Sequence, residues 1–170
     1  APVVFQGLRS AWKSRLLALS EKAGEAGASV DELAADCADY SPYAISVLLE
    51  TAFSAGALHR EDGRYRLTRV GDNVLHDTLT QINIDYIHDV CYQGLFELDE
   101  CLRQEKPLGL KTLGDWATIY EGLSALPEPA RSSWFRFDHY YSDSAFAEAL
   151  PYVLARRPQR VMDIGANTGK

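Results

Sequence analysis

Apolar side chains near the start of the chain recur at spacings of three and four, which is the period of one helix face. The stripe consists of Phe5, Leu8, Trp12, Leu16 and Leu19. It predicts a single helix over residues 5–19 that buries this face against the rest of the protein.

Two further helices are predicted from their start signals. Ser29 with Glu32 three residues later fits a capping box, in which each side chain accepts a hydrogen bond from an N–H group that the first turn leaves unpaired. Ser41 then precedes Pro42, the pairing of an N-cap with a first-turn proline, and apolar residues keep helical spacing until Gly56 can end the helix.

A β-hairpin is predicted directly after the third helix. Residues 58–61 and 64–67 flank Asp62 and Gly63, a pair that tolerates the positive φ of a type I′ turn. Three helices and a two-stranded wing in this order predict a winged helix-turn-helix domain.

Beyond the hairpin the pattern is mainly helical. A short helix to about His76 is followed by a long one that ends near Pro107. Its apolar stripe consists of Ile84, Ile87, Cys91, Leu95, Leu98 and Leu102. Because a winged helix alone cannot cover a stripe of this length, we expect a second copy of the chain or a second domain to pack against it.

In the last third of the chain, the helical pattern of apolar residues gives way to a strand pattern near the end. Helical patterns over 116–126, 134–141 and 144–155 stop at Pro158, and residues 160–164 predict a short buried strand. The expected fold class is therefore mainly α, a winged helix followed by long connector helices, ending in the first strand of an α/β domain.

The strand leads into a glycine turn, VMDIGANTGK over 161–170, which is the layout of nucleotide-type cofactor sites. A dinucleotide fingerprint fails because Asn167 takes the place of its second glycine. A phosphate loop fails because three residues, not four, separate Gly165 from Gly169. The form D-x-G-x-x-x-G remains, and a plain strand-to-helix turn stays open as the alternative.

This motif resembles the first motif of class I methyltransferases that use S-adenosylmethionine. In that family it lies on the first strand of a Rossmann-like sheet and meets the amino acid and ribose end of the cofactor. The resemblance implies that the complete protein binds S-adenosylmethionine through Asp163, Gly165, Asn167 and Gly169.

The order of features along the whole chain resembles the O-methyltransferase family. Upstream of the glycine motif, the resemblance rests on Trp134, on FDHYYSD over 137–143, on Phe146 and on ALP over 149–151. It implies a homodimeric enzyme that moves a methyl group from S-adenosylmethionine to a small molecule, in the first place at oxygen, with nitrogen and carbon as the alternative accepting atoms.

The resemblance also implies a division of the chain. We expect a winged-helix dimerisation domain over 1–78, helical connector and pocket helices over 79–157, and the first strand and glycine loop of a truncated methyltransferase domain over 158–170. The acidic residue of the second strand and the histidine base of plant-type relatives lie outside this sequence. Catalytic residues are therefore unknown, and this chain alone is expected to be inactive.

The same resemblance indicates a pair of candidate residues for the substrate pocket, upstream of the glycine motif. They are Tyr141 and Ser142, and the alternative is that Phe137, Tyr140 and Tyr141 are core aromatic residues at helical spacing. In addition, Ala166 replaces a glycine of the plant-type loop.

A winged-helix transcription regulator or a protein-interaction domain is the rival function. The helix over 42–55 occupies the position of a DNA-recognition helix, yet Glu50 is its one charged side chain. The wing has four arginines, which cross-strand pairing with Glu61 and Asp62 would partly neutralise. With a formal net charge of −7, we expect no binding to nucleic acid.

The composition of the chain bears on whether the protein has a metal site and on where in the cell it is located. The three cysteines have no C-x-x-C spacing, and His59, His76 and His88 show no ligand spacing, so no metal site is expected. The sequence has no apolar run long enough for a membrane span and no signal-peptide pattern, which predicts a cytoplasmic protein.

Overall fold

The computed structural model describes residues 1–165, and in this part the protein is mainly helical, as predicted. The N-terminal half contains α1 to α5 and one hairpin: α1 Pro2–Lys13, α2 Leu16–Lys22, α3 Val30–Ala35, α4 Pro42–Ser54, β1 Leu58–Glu61, β2 Arg64–Leu67 and α5 Arg69–His76. The remaining helices are α6 Thr78–Tyr86, α7 Leu98–Gln104, α8 Ile119–Gly122 and α9 Ala130–Ala155.

The single helix expected over 5–19 is two helices in the structure. Arg15 adopts the left-handed conformation with φ 69°, which ends α1 and starts α2 in a new direction. Leu16 and Leu17, the first two residues of α2, are both fully buried.

The start signals of α3 and α4 are confirmed. Ser29 Oγ accepts a hydrogen bond from the Glu32 N–H at 3.3 Å, and Glu32 Oε2 accepts one from the Ser29 N–H at 2.7 Å. Ser41 Oγ accepts a hydrogen bond from the Ala44 N–H at 3.2 Å. Side-chain caps therefore determine where both helices begin.

The hairpin has the predicted strands and the predicted turn. β1 and β2 pair antiparallel, with Leu58 opposite Leu67. At the turn, Asp62 has φ 48° and Gly63 has φ 74°, the left-handed pair that a type I′ turn needs. The order of helices and hairpin is that of a winged helix-turn-helix.

One hydrophobic core joins α1 to α5 and the hairpin. Tyr65 of β2 is buried in it, and Trp12 packs against it from α1. The buried members are Ala11, Leu16, Leu17, Ala28, Leu33, Cys37, Ile45, Leu49, Ala52, Ala57, Leu58, Tyr65 and Val74.

The long helix expected through Leu102 is interrupted. After α6 the chain continues as a π-helical turn over Ile87–Cys91 and a 3₁₀ turn over Gly94–Glu97 before α7 begins. The 3₁₀ turn touches the backbone of a second turn, Leu108–Thr112, and a Cβ at Gly109 would clash with the carbonyl oxygen of Gly94. This backbone contact between distant segments is not visible in a periodic pattern.

The C-terminal helices also differ from their predicted bounds. Over 116–126 the structure has the single α-helical turn α8 and a 3₁₀ turn at Leu123–Ala125, whereas α9 joins the two helices expected over 134–155 into one that contains Pro151. The expected strand over 160–164 is not formed, and Val161 and Ile164 are exposed. A strand needs a hydrogen-bonded neighbour, and β1–β2 is the sheet found in the described residues.

Within residues 1–165, none of the helices combines the length and the apolar character that crossing a bilayer requires.

Candidate functional site

The candidate pocket residue Tyr141 belongs to a row of aromatic side chains where α9 packs against α6. Tyr86 of α6 stacks on Phe137 with ring centroids 4.1 Å apart, and Phe137 contacts Tyr141 at 4.9 Å. Trp134 tilts against Tyr86 at 5.8 Å. Positions 134, 137 and 141 share one face of α9, so the helical spacing of these aromatic residues does indicate packing.

Tyr141 is at the open end of this aromatic row. Its ring is packed on Phe137, yet the residue is half-exposed. The Asn83 side-chain amide donates a weak hydrogen bond of 3.4 Å to its hydroxyl oxygen. Tyr141 therefore packs within the aromatic row, as the core alternative expected, and still leaves about half of its surface exposed.

Ser142 is next to Tyr141, but its hydroxyl is used within α9. Ser142 Oγ donates a hydrogen bond of 2.9 Å to the Asp138 carbonyl oxygen one turn earlier. In this rotamer the hydroxyl hydrogen is not available to a ligand, although the oxygen can still accept a hydrogen bond.

A carboxylate cluster that the sequence did not predict lies under the aromatic row. Asp85 of α6 is 5% exposed, and three cations surround it. Asp85 Oδ1 is 3.2 Å from Arg9 Nη2, and Oδ2 is 3.0 Å from Lys13 Nζ and 3.4 Å from Arg136 Nη1. The cluster thus ties α1 and α9 to α6.

A second carboxylate, Asp89, lies one turn further on, in the π-helical turn. Its Oδ2 accepts a hydrogen bond of 2.5 Å from the buried Ser133 hydroxyl, and its Oδ1 is 3.8 Å from Arg9 Nη2. Asp85 and Asp89 are four positions apart, a spacing that places both on one helix face and that was visible in the sequence.

Three buried nitrogens around this cluster have no hydrogen-bond partner among the described residues: Arg9 Nε, His88 Nδ1 and Trp134 Nε1. Burial is the largest cause that lowers the pKa of His88 from 6.5, and the nearby Arg9 guanidinium lowers it further. His88 is therefore neutral at neutral pH. The cluster offers hydrogen-bond donors to water or to a polar ligand atom.

Two further titratable side chains at this site, Tyr86 and Cys91, are also held neutral. Burial raises the pKa of Tyr86 to about 12, and the neighbouring Cys91 adds to this shift. Burial likewise raises the pKa of the Cys91 thiol. Neither side chain is a ready nucleophile.

The candidate cofactor loop is partly described. Asp163 and Gly165 are exposed, and Gly165 has φ 90° with no atom within 4 Å of where a Cβ would stand. Asn167 and Gly169 lie outside the described residues. Within the described residues, Asp163 and Gly165 are therefore exposed rather than packed against Tyr141 or Ser142.

The wing arginines, which bear on the rival function, have carboxylate partners. Arg60 Nη1 is 2.8 Å from Glu50 Oε1, and Arg64 Nη2 is 2.9 Å from Glu32 Oε2. Arg66 pairs with Glu61 across the hairpin, as expected. Two of these partners come from helices α3 and α4 rather than from the turn, which sequence spacing could not reveal.

The described residues also contain a cluster with metal-ligating side chains, although the sequence predicted none. Glu21 of α2 meets Asp72 and His76 of α5 on the surface. Asp72 and His76 are four residues apart, a spacing that was visible in the sequence, whereas Glu21 is 55 positions from His76.

Comparisons with known proteins agree with this architecture. Residues 1–65 match the family described as Dimerisation2-like domain. A comparison with curated proteins finds no match. Among solved structures, the chain is similar to the S-adenosylmethionine-dependent methyltransferase SibL in its apo form, with a TM-score of 0.68 and 24% sequence identity.

The match to SibL covers 89% of this chain and 43% of the SibL chain, so this chain spans less than half the length of that structure. At this identity the likeness concerns the fold. The chain is therefore similar to a Dimerisation2-like domain over residues 1–65 and, in fold, to part of an S-adenosylmethionine-dependent methyltransferase.

Proposed function

We propose that this chain is the dimerisation and substrate-pocket region of a methyltransferase, which in its complete form moves a methyl group from S-adenosylmethionine to an oxygen atom of a small molecule. The observation that carries the proposal is the fold likeness to a methyltransferase over 89% of the chain. The Dimerisation2-like domain at its start supports it independently.

The aromatic row on α6 and α9 supports a role in substrate positioning. Methyl transfer depends mainly on aligning the accepting atom with the sulfonium methyl group, so a rigid wall contributes directly to the rate. Tyr141 offers a half-exposed ring and a hydroxyl at the end of this wall. Tyr141 and Ser142 remain our proposed pocket residues.

The described half of the glycine loop is compatible with a bound cofactor. The positive φ of Gly165 and the open space around its Cα allow a ligand to approach the backbone closely. We propose that Asp163, Gly165, Asn167 and Gly169 hold S-adenosylmethionine once the rest of a sheet supports them.

The experiment measures formation of S-adenosylhomocysteine by the complete protein with S-adenosylmethionine and a panel of small hydroxylated molecules. We expect Asp163→Ala to abolish turnover and Tyr141→Phe to change the KM for the acceptor more than kcat. Glu148→Gln, an exposed change on α9, is the matched control. If the complete protein neither binds S-adenosylmethionine nor forms product, the proposal is wrong.

The isolated chain of residues 1–170 should behave differently. Among residues 1–165, positions 160–163 have no strand partner, and the sheet formed there is the β1–β2 hairpin. We therefore expect calorimetry to detect no binding of S-adenosylhomocysteine to this chain at millimolar ligand. A micromolar dissociation constant would show that residues 1–170 already form most of the site.

We further propose that two copies associate through the apolar surface formed by the N-terminus of α1 and the turn before α7. Pro2, Tyr92, Leu95 and Phe96 line an open depression there, and Phe96 is 82% exposed. Leu98 and Leu102 extend the exposed apolar surface along α7. Trp12 packs against the core of its own chain.

Sedimentation velocity tests this dimer surface. Stable dimer interfaces that resemble a divided core bury roughly 2,000 Å² or more, so a charge placed within one should dissociate it. We expect a dimer for the unchanged chain, a monomer for Phe96→Glu combined with Leu102→Glu, and a dimer for the control Tyr43→Glu, which alters an exposed tyrosine on α4. A monomeric unchanged chain would contradict the proposal.

A further inference from the structure

The cluster of metal-ligating side chains lies where α2 packs against α5, outside the α6–α9 site. Glu21 is on α2, and Asp72 and His76 are one turn apart on α5. One potential ligand atom from each residue lies within 4.8 Å of the other two. His76 Nε2 is 2.7 Å from Glu21 Oε1 and 3.9 Å from Asp72 Oδ1.

These separations are close to those that a bound divalent ion requires. Zinc binds imidazole nitrogen and carboxylate oxygen at about 2.0–2.2 Å, so tetrahedral ligand atoms are about 3.3 Å apart. The two observed separations bracket this value, and small side-chain rotations would equalise them. One imidazole with two carboxylates suits Zn²⁺ and its first-row neighbours better than Ca²⁺ or Mg²⁺.

We propose that Glu21, Asp72 and His76 bind a first-row divalent metal ion of the Zn²⁺ type, with water completing its coordination. The site is independent of the proposed methyltransferase function. The bound ion links α2 to α5 and so stabilises the packing of α5 against the N-terminal helices.

The backbones that carry the ligands are held in place before any ion binds. Ser20, next to Glu21, is fully buried, and Val74, between Asp72 and His76, is in the hydrophobic core. On α5, Gly71 packs directly on the carbonyl oxygen of Ala57. Since packing already fixes both helices, metal binding has to order three side chains rather than a segment of chain.

The ligand atoms are accessible from solvent. The side chains of Glu21, Asp72 and His76 are 46–57% exposed, so an ion can enter without opening the fold. Arg66 and Arg69 line the same depression as Glu21 and Asp72, and their positive charge opposes binding of a cation. We therefore expect micromolar rather than nanomolar affinity.

Calorimetric titration of ZnCl₂ into the full chain, without a polyhistidine tag and after removal of metal with a chelator, is the direct test. We expect one site for the unchanged chain and an affinity reduced by about tenfold or more in His76→Gln and Asp72→Asn. The matched control is His59→Gln, because His59 is an exposed imidazole on β1 outside the cluster. This control should bind Zn²⁺ as the unchanged chain does.

Thermal unfolding with and without Zn²⁺ provides a second readout. An ion that binds the folded state raises Tm, so Zn²⁺ should raise the Tm of the unchanged chain and of His59→Gln but not that of His76→Gln. The proposal is overturned if Zn²⁺ shows no saturable binding up to millimolar concentration. It is equally overturned if His76→Gln binds as tightly as the unchanged chain, since the ion would then lie elsewhere.

Discussion

Arg9 donates a hydrogen bond of 3.2 Å from Nη2 to the Asp85 carboxylate across 76 positions of sequence, and this contact joins α1 to α6. Lys13 and Arg136 approach the same carboxylate from α1 and α9. Asp85 is therefore the point at which the N-terminal domain and the candidate pocket wall meet.

The first prediction is that Asp85→Asn lowers the free energy of unfolding by about 2–3 kcal/mol, because hydrogen bonds to charged groups contribute about that much and the cations lose their counter-charge. Urea unfolding measures the change. Asp99→Asn is the control, since Asp99 pairs with Arg103 on an exposed helix surface. We expect that change to stay within about 0.5 kcal/mol. Equal effects of the two substitutions would refute the special role of Asp85.

The second prediction concerns the capping box at the start of α3. The hydrogen bond from the Ser29 N–H and then the Arg64 side chain lower the pKa of Glu32 below 4.5. The folded state therefore holds fewer protons than the unfolded state, and stability present above pH 4.5 is lost as the pH falls through the folded pKa. Glutamine keeps the cap but not the charge, so Glu32→Gln should remove this pH dependence from urea unfolding measured between pH 7 and pH 3.

The third prediction concerns Gly71 in α5. A helix-interior Gly→Ala change usually stabilises a protein by about 0.5–1 kcal/mol. Here a Cβ would clash with the Ala57 carbonyl oxygen and lie 2.6 Å from Leu67 Cδ1. We expect Gly71→Ala to destabilise the chain by about 1–3 kcal/mol in thermal unfolding. Asn73→Ala, at an exposed position of the same helix, serves as the control. Stabilisation by Gly71→Ala would show that α5 does not pack on the hairpin as described.

The fourth prediction is that the chain does not bind duplex DNA specifically. Arg60, Arg64 and Arg66 already pair with carboxylates, so phosphate binding would have to break those contacts. Fluorescence anisotropy at physiological salt should detect no saturable binding near 10⁻⁸ M, the range of specific binders. Saturable binding in that range, reduced by Arg60→Ala and Arg64→Ala, would favour the regulator function instead.

Local features of the fold were predictable because their causes lie within a few residues. The capping box of Ser29 and Glu32 and the Asp62-Gly63 turn formed as expected, since caps and turns depend on short-range hydrogen bonds and on φ preferences. The apolar stripe of α4 likewise predicted a buried face, and Ile45, Leu49 and Ala52 are buried.

The candidate site was predictable only in part. The aromatic residues of α9 were found from their spacing and from a family resemblance, and Tyr141 does lie at the end of an aromatic row. The Asp85 cluster was missed because its cations lie 51 to 76 positions away in the sequence. Charge pairing over such separations depends on how helices pack.

The sequence by itself determined the element types of the N-terminal third, the turn residues and the glycine motif, because each of these follows from periodicity or from a short run of neighbours. Tertiary structure decided where helices break, as at Arg15 and Gly94, and which charges meet, as at Asp85 and His76. The physical reason is that helix breaks and ion pairs of this kind depend on the packing of segments that are distant in the sequence. No local sequence pattern encodes that packing.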